Sequence, residues 1–300
     1  MKKPPKIQDD DLRVEKLHDY DLFLSNSDPD FDAVTSAVKN LCNSSIALIT
    51  LVDKNRQWFK SKQGLEVDET HRDISFCAHT IAESEMLVVE DTFKDERFFD
   101  NPLVTGPPHI RFYAGVPLEV EGGHRIGTLC AIDSAPKKLK NSEKETLTSL
   151  AKTVVSLIKQ RKLAIDLNHS NGKLNLINEI LHEGYFDWRV DQSEITLSNS
   201  LRSLLNLPIN VHNNLGEKWR EVVYSKDQQK LIDLYQSVLK KDASNNYDLE
   251  IRLKKGENKW SWFHLSVKVL KHLSNDLPHR ILGTLRDIDD FKRYIHENKT

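Results

Sequence analysis

The sequence is poor in several features that would assign a function directly. Its 300 residues include only three cysteines, Cys42, Cys77 and Cys130, and none stands in a CxxC pair. That number and spacing exclude a disulfide framework and a zinc ribbon. No apolar run approaches the roughly 18–20 residues that a membrane-spanning helix requires, and none follows the basic N-terminus as in a signal peptide. The sequence therefore predicts a cytoplasmic protein with reduced thiols and no membrane partner.

A strong charge of either sign is missing as well. The 43 lysines and arginines nearly balance the 45 aspartates and glutamates, so the formal net charge is −2 at pH 7. Such a balance leaves no broad basic face for nucleic acid. The chain has no GGDEF or GGEEF stretch, no P-loop and no kinase glycine boxes, and it carries no phosphodiesterase motif. We therefore predict a protein that is not an enzyme and does not bind nucleic acid.

The sequence does contain a pattern of strands and helices that is typical of two compact α+β domains. The apolar run 44–53 is followed after a short turn by a second strand pattern, 56–64, and so short a connection permits only a hairpin. Residues 110–133 form another hairpin with a Gly-Gly turn. Further on, 246–256 and 259–272 alternate apolar and polar residues, as antiparallel strands with one wet face do. We expect two antiparallel sheets of five or six strands, each flanked by helices and joined by a long helix.

The long helix is predicted to begin at Asn141. Its residues follow the four-three spacing of a two-stranded coiled coil, and they are Leu147, Ala151, Val154, Ile158, Arg161, Ile165 and Asn168. A helix lying on the first sheet explains the same spacing, and both interpretations are open at this stage. The candidate interface residues are Leu147, Val154, Ile158 and Ile165. The polar stretch 168–173, which contains Gly172, is expected to interrupt the seam at a domain junction.

Several segments of the first half occur in the order found in bacterial GAF domains. They are IALITLVDKNRQWFKSKQGL, RDISFCAHTI, IRFYAGVPL and GTLCAID. Residues 12–165 therefore resemble this family. On that resemblance we assign 12–140 to a GAF domain, 1–11 to a disordered tail, and 141–173 to the connecting helix and junction.

The second half resembles a PAS domain of the type with a paired-tryptophan strand, PAS fold type 3. The segments concerned are GYFDWRV, EIRLKKGENKWSWF and ILGTLRDIDDFKR. On this resemblance residues 174–295 form the PAS domain and 296–300 a tail. A stand-alone sensor and the front part of a longer chain both agree with the sequence.

Together the two resemblances imply a sensory protein of two-component or cyclic-dinucleotide signalling. Such a protein binds a small ligand or partner and relays the signal through a helical linker, as a homodimer. A separate histidine kinase or cyclic-dinucleotide enzyme is the partner class that the resemblances imply.

Cys77 and His79 are the residues that most invite a chemical interpretation. The segment SFCAHT is typical of a short helix capped by Ser75, and residues two apart on a helix point about 200° apart. A nucleophile and its base must approach to roughly 2.6–3.2 Å, so the spacing argues against catalysis. Cys77 is predicted to be a buried core residue or part of a pocket lining. A thiol redox sensor or redox enzyme of the GAF type, centred on Cys77, is the alternative function.

Small-molecule pockets of GAF domains tend to open at the start of the strand that follows Pro107 and Pro108. The resemblance therefore gives the candidate ligand-binding residues Trp58, Cys77, His79, Phe112 and Tyr113. For the two aromatics of the strand, simple core packing is the competing interpretation.

The sequence does not identify a cofactor. Bilin-binding relatives carry cysteine directly followed by histidine, whereas Ala78 intervenes here, and a flavin adduct requires a cysteine that residues 174–295 lack. Haem bound through a histidine such as His264 is disfavoured, because its strand neighbours are tryptophans. The twelve histidines are scattered, so no metal site is predicted.

Trp260 and Trp262 lie on the same, nominally wet, face of their strand. Two large aromatics there indicate that the face is covered, either by a helix such as 174–182 or by a partner protomer. We take both as candidate interface residues. A ligand-free scaffold that docks a separate kinase or cyclase through them is a further functional alternative.

Overall fold

The computed structural model describes residues 1–24, 28–192, 194–206, 220–240, 244–255, 259–271 and 277–297. The chain divides into two compact units, Met1–Leu167 and Asn168–Thr300, and each is described by itself. The predicted α+β class is confirmed, since a six-stranded and a five-stranded antiparallel sheet are flanked by helices, with a long helix between them. No helix in the described ranges is long and apolar enough to cross a membrane.

The sheet of the first unit is built from two hairpins and two short edge strands. Its strands are β1 (Ile46–Val52), β2 (Arg56–Gln63), β3 (Glu69–His71), β4 (Leu87–Val89), β5 (Phe112–Glu119) and β6 (Arg125–Asp133). Their order is β3-β2-β1-β6-β5-β4, and every pair is antiparallel. The β5–β6 turn places Gly122 and Gly123 at φ of 78° and 77°, a region that glycine enters without steric cost.

Helices cover both faces of this sheet. They are α1 (Asp10–Asp19), α2 (Pro29–Leu41), α3 (Phe76–Thr80), α4 (Pro102–Thr105) and the first part of α5 (Asn141–Ile180). Strand β1 is consequently buried on both sides, with Ile49 and Leu51 in one core cluster and Leu48 in the other. A strand covered on both faces favours apolar residues at nearly every position, which explains why all residues of this strand except Thr50 are apolar.

The first part of α5 is a core element of the first unit. Leu147, Ala151, Val154 and Ile158 are at most 2% exposed and belong to the core cluster formed with α1 and α2. The first half of the heptad pattern therefore corresponds to a helix lying on the sheet, the second of the two interpretations. These side chains pack within their own chain and are not available to another.

Helix α5 does not end where the sequence indicated. It continues through 168–173 and Gly172 to Ile180, so the expected interruption is wrong as a statement about secondary structure. One glycine costs a helix only about 1 kcal/mol relative to alanine. Since Lys173, Leu174 and Leu176 directly after it favour a helix, a cost of that size does not end the helix.

Gly127 of β6 is a position that tolerates no side chain. A Cβ there would lie 1.9 Å from the carbonyl oxygen of Thr50 on β1, and both strands are central in the sheet. We expect Gly127→Ala to lower the free energy of unfolding of the first unit by about 3 kcal/mol, the upper range for overpacking. Hydrogen exchange of β1 and β6 peptides in the full chain measures this. Unchanged protection would contradict the steric argument.

Gly172→Ala is the matched control. The added Cβ meets nothing within 4 Å, and alanine favours the helix by up to about 1 kcal/mol. We expect unchanged protection of the first sheet and equal or greater protection of α5 around residue 172.

The second unit contains a five-stranded antiparallel sheet. Its strands are β7 (Glu183–Arg189), β8 (Glu194–Leu197), β9 (Asn246–Lys255), β10 (Lys259–Lys271) and β11 (Pro278–Asp287), in the order β8-β7-β11-β10-β9. The accompanying helices are α6 (Asn199–Leu204), α7 (Gln228–Val238) and α8 (Asp289–Glu297). The alternation predicted for β10 is confirmed, because its buried apolar residues are Phe263, Leu265, Val267 and Val269.

Candidate functional site

Two buried thiols lie side by side in the first unit. The Ser75 hydroxyl caps α3 by accepting a hydrogen bond of 3.1 Å from the backbone N–H of Ala78, and this short helix places Cys77 over the sheet. The Sγ atoms of Cys77 and Cys130, the latter on β6, are 3.9 Å apart. Both residues are at most 1% exposed, and neither is in a disulfide.

Hydroxyl groups surround these thiols. The Tyr113 O–H donates to Cys77 Sγ at 3.4 Å, and the Tyr113 oxygen lies 2.7 Å from Oγ1 of Thr80. On the paired strands β1 and β6, the Oγ1 atoms of Thr50 and Thr128 are 2.9 Å apart. Thr128 is two positions from Cys130 on β6, so both threonine hydroxyls lie on the same face of the sheet as that thiol. We call these six residues, Cys77, Cys130, Tyr113, Thr50, Thr80 and Thr128, the thiol cluster.

The thiol cluster favours a single negative charge. Burial alone would raise the pKa of Cys77, but hydrogen bonds from Cys130, Thr128, Thr50 and Tyr113 lower this pKa to about 7. Burial and the neighbouring Cys77 thiolate raise the pKa of Cys130 well above its ordinary value. The hydrogen bonds therefore favour the thiolate at Cys77, and Cys130 keeps its proton. Cys42 differs, because burial raises its pKa to about 11.

His79 is buried apart from the thiol cluster. Its ring packs edge-on against Phe98, with ring centres 4.8 Å apart. Burial first, and then the nearby Arg97 guanidinium, lower the pKa of His79 to about 4. The imidazole is therefore neutral at pH 7, and it is not a base for Cys77.

The low pKa of His79 predicts a pH dependence of stability. In the unfolded chain a histidine binds a proton below about pH 6.5, whereas His79 in the folded chain does so only below about 4. Between these values the unfolded state binds more protons, so stability falls as the pH falls. We expect the urea midpoint of the first unit to drop from pH 7 to pH 5, and this drop to be smaller in His79→Gln.

His169→Gln, at an exposed position of α5, is the control for that comparison and should keep the wild-type pH dependence. Identical pH profiles for wild type and His79→Gln would contradict the assignment.

The five predicted ligand-binding residues do not converge on one pocket. Phe112 and Tyr113 are adjacent on β5, so they enter opposite core clusters. Trp58 lines a separate cavity of about 190 Å³ together with Asp32, Phe59, Lys60, Ser61, Lys62 and Asp68. Of the five, Cys77 and Tyr113 are joined by a hydrogen bond.

The sequence reasoning missed Cys130 and the three threonines of the thiol cluster. One signal was available: Thr128 and Cys130 are two apart on a strand, and such residues share a face. Thr50 of the partner hairpin lies on that same face through its pairing with Thr128. What the sequence did not supply was the position of α3 above them.

The second unit contains a larger groove, of about 1050 Å³, on the outer face of its sheet. Residues of α5 form one wall, namely Asn171, Leu174, Asn175 and Asn178, and the strands supply the floor. An ion pair crosses that floor, where Arg280 of β11 donates to Asp187 of β7 at 2.8 Å.

Cationic side chains cover Trp262. The Arg252 guanidinium carbon lies 4.8 Å from the centre of its ring, and Nζ of Lys292 on α8 lies 5.4 Å away. The helix that covers Trp262 is therefore α8, residues 289–297, and not the predicted helix 174–182. The last turns of α5 lie along the groove instead. Trp260 packs edge-on against Tyr224 and keeps 40% of its surface exposed.

The second part of α5 carries exposed apolar side chains at heptad spacing. We call Leu163, Leu167, Leu174 and Ile177 the apolar stripe. These side chains are between 49% and 69% exposed. Their separations of four, seven and three residues place them on one line along the helix. The predicted interface residue Ile165 lies off this line and is half-buried.

Comparison with known proteins identifies the first unit. Residues 28–158 match the GAF domain family, so this unit contains a GAF domain, as the resemblance implied. A cyclic di-GMP phosphodiesterase of Pseudomonas aeruginosa is 39% identical over 137 residues, which are 46% of this chain and 23% of that protein. The chain thus spans less than a quarter of the length of that relative.

Two solved structures of lower identity resemble parts of the chain. The GAF domain of an Acinetobacter phosphoenolpyruvate-protein phosphotransferase is 18% identical with a TM-score of 0.38, and the match covers 52% of this chain and 98% of that chain. The N-terminal domain of a Marinobacter aquaeolei diguanylate cyclase with PAS/PAC sensor is 14% identical with a TM-score of 0.33, covering 37% and 98% respectively. Likeness at this level carries no functional argument.

Proposed function

We propose that this chain is a sensory signal-transduction protein that acts as a homodimer. In this proposal a GAF domain, residues 12–140, and a PAS domain, residues 174–295, flank helix α5. The GAF match supports the first assignment. The paired-tryptophan strand and a five-stranded antiparallel sheet with α6 and α7 support the second.

The apolar stripe is the observation that carries the homodimer. Four large apolar side chains in line on one helix form a surface that water disfavours. A second copy of α5 presents the same line, so parallel pairing buries both in knobs-into-holes packing. The buried residues Leu147 to Ile158 hold the start of the helix on the GAF sheet, and the stripe begins where that packing ends.

The relay would act through this one helix. A ligand or modification in the GAF domain that favours one packing of α5 shifts the balance between two arrangements of the paired stripes. Such a signal shifts the balance only by its difference in affinity for the two arrangements. The Arg161–Asp28 ion pair, which ties α5 to the N-terminus of α2, lies at the point where the two parts of the helix meet.

Sedimentation of the full chain tests the homodimer. We expect a dimer at micromolar concentration and dissociation only on strong dilution. A monomer at tens of micromolar would overturn the proposal that the apolar stripe pairs two chains.

The relative favours a cyclic-dinucleotide enzyme as the output or partner. We infer that the region shared with the phosphodiesterase is the GAF domain, because the matched 137 residues are close in length to residues 28–158. The purified chain should therefore not hydrolyse cyclic di-GMP. Turnover above that of a blank would contradict the non-enzymatic assignment.

A further inference from the structure

The thiol cluster has no part in the proposed relay, yet it differs from ordinary core packing. An apolar core gains nothing from hydroxyl groups, and burying each costs free energy unless it is hydrogen-bonded. Here the Tyr113 hydroxyl donates to the Cys77 thiol, and the Thr50 and Thr128 hydroxyls bond to each other on the same face of the sheet. Cys42, the remaining cysteine, belongs to the core cluster on the opposite face of the sheet.

We propose that Cys77 and Cys130 form an oxidation site at which hydrogen peroxide, or a small hydroperoxide, converts the two thiols into an intramolecular disulfide. Two free thiols lie 3.9 Å apart at this site, and hydroxyl donors, Tyr113 among them, lie around Cys77. Those donors stabilise the thiolate, which is the reactive form of cysteine. The site stands whether or not the chain is a dimer.

The reaction balances with one peroxide. The Cys77 thiolate sulfur attacks one peroxide oxygen, the O–O bond breaks, and the leaving hydroxide takes a proton to become water. Cys77 is then a sulfenic acid. The Cys130 sulfur, on losing its proton, attacks the Cys77 sulfur; the S–O bond breaks, and the departing hydroxide takes that proton as a second water. Two thiols are oxidised and one peroxide is reduced to two waters.

Geometry sets the rate and the consequence of this reaction. Both sulfurs are at most 1% exposed, so peroxide enters only when α3, a helix of five residues, opens locally. A disulfide requires sulfurs about 2.05 Å apart. Helix α3 must therefore move toward β6 by roughly 2 Å, and the hydrogen bond from Tyr113 to the Cys77 thiol is lost. The oxidised protein is thus a second packing of this face of the GAF domain.

Differential oxidation of the full chain tests the site. The protein is exposed to hydrogen peroxide, quenched, denatured and labelled with a maleimide, and its peptides are analysed without reduction. We expect Cys77 and Cys130 to lose their free thiols together, at least tenfold faster than Cys42, and to appear in one linked peptide that dithiothreitol separates. Equal rates for all three cysteines, or no linked peptide, would overturn the proposal.

Two variants separate the two steps. Cys130→Ala removes the resolving thiol, so Cys77 should stop as a sulfenic acid that dimedone traps. Cys42→Ala is the matched control and should still form the linked peptide at the wild-type rate. If Cys130→Ala does not fold, the peptide assay on the wild-type chain still decides the question. A disulfide that involves Cys42 would refute the pairing of Cys77 with Cys130.

Discussion

Replacing Leu167 and Leu174 together by glutamate should convert the chain from a dimer into a monomer. Both residues lie on the apolar stripe, and burial of one leucine side chain contributes about 1.5–3 kcal/mol. The double variant removes four leucines from the dimer and places four carboxylates in the seam. We expect the dissociation constant to rise at least about 100-fold, which corresponds to about 2.7 kcal/mol. Sedimentation equilibrium over a concentration series measures it.

A second double variant provides the control for added charge. Asn168 and Leu176 are also exposed on α5 but face away from the line of the stripe. Asn168→Glu with Leu176→Glu adds the same charge to the same helix and should leave the dimer intact. If both double variants dissociate equally, general repulsion rather than the stripe explains the result, and the proposed seam is not supported.

Replacing Arg161 by methionine should destabilise the first unit by about 3 kcal/mol, because it leaves a buried carboxylate without its partner. Asp28 is 1% exposed, is paired with the Arg161 guanidinium, and caps α2 by accepting a hydrogen bond from Asp30. Arg161 also packs over the Phe31 ring, 4.9 Å from its centre. Nearby Lys60 donates to the Leu22 carbonyl at 3.0 Å, so it replaces the lost cation only in part.

Hydrogen exchange of α2 and α5 peptides measures the Arg161 effect within the full chain. Lys162→Met is the control, since Lys162 pairs with Asp166 one turn along the same helix, and such an i,i+4 pair contributes about 0.3–0.5 kcal/mol. Adding Asp28→Asn to Arg161→Met removes the stranded charge and should restore part of the protection. An Arg161→Met variant as well protected as Lys162→Met would show that the buried pair contributes little.

The sheets were predictable because their sequence signals are local. The alternation in β9 and β10, and the short turns of the hairpins, fix direction and face without knowledge of the rest of the chain. The continuous apolar run of β1 also identified a strand. Its cause, helices on both faces, became evident only from the structure, because a run without alternation does not say what covers it.

The thiol cluster and the covering of Trp262 were not predictable in the same way. Cys77 and Cys130 are separated by 53 positions, and their meeting depends on where α3 lies over β6. Likewise, the even alternation of β10 placed Trp262 on the outer face, but it did not indicate that Lys292 of α8 would cover it. Both features depend on contacts between elements distant in sequence, which periodicity does not encode.

The two parts of α5 have different surroundings, and their apolar side chains also point in different directions around the helix axis. Ile158 is the last fully buried residue of the helix, and Leu163, five positions later, is the first of the stripe. At about 100° per residue, their side chains therefore point about 140° apart around the helix axis, after one full turn is subtracted. That angle is set by chain length alone. Deleting or adding a single residue between these positions would swing the stripe by about 100°, whereas inserting seven would return it to within about 20° of its present direction. The direction of the apolar stripe relative to the buried face of α5 therefore depends more on the number of residues between them than on the identity of those residues.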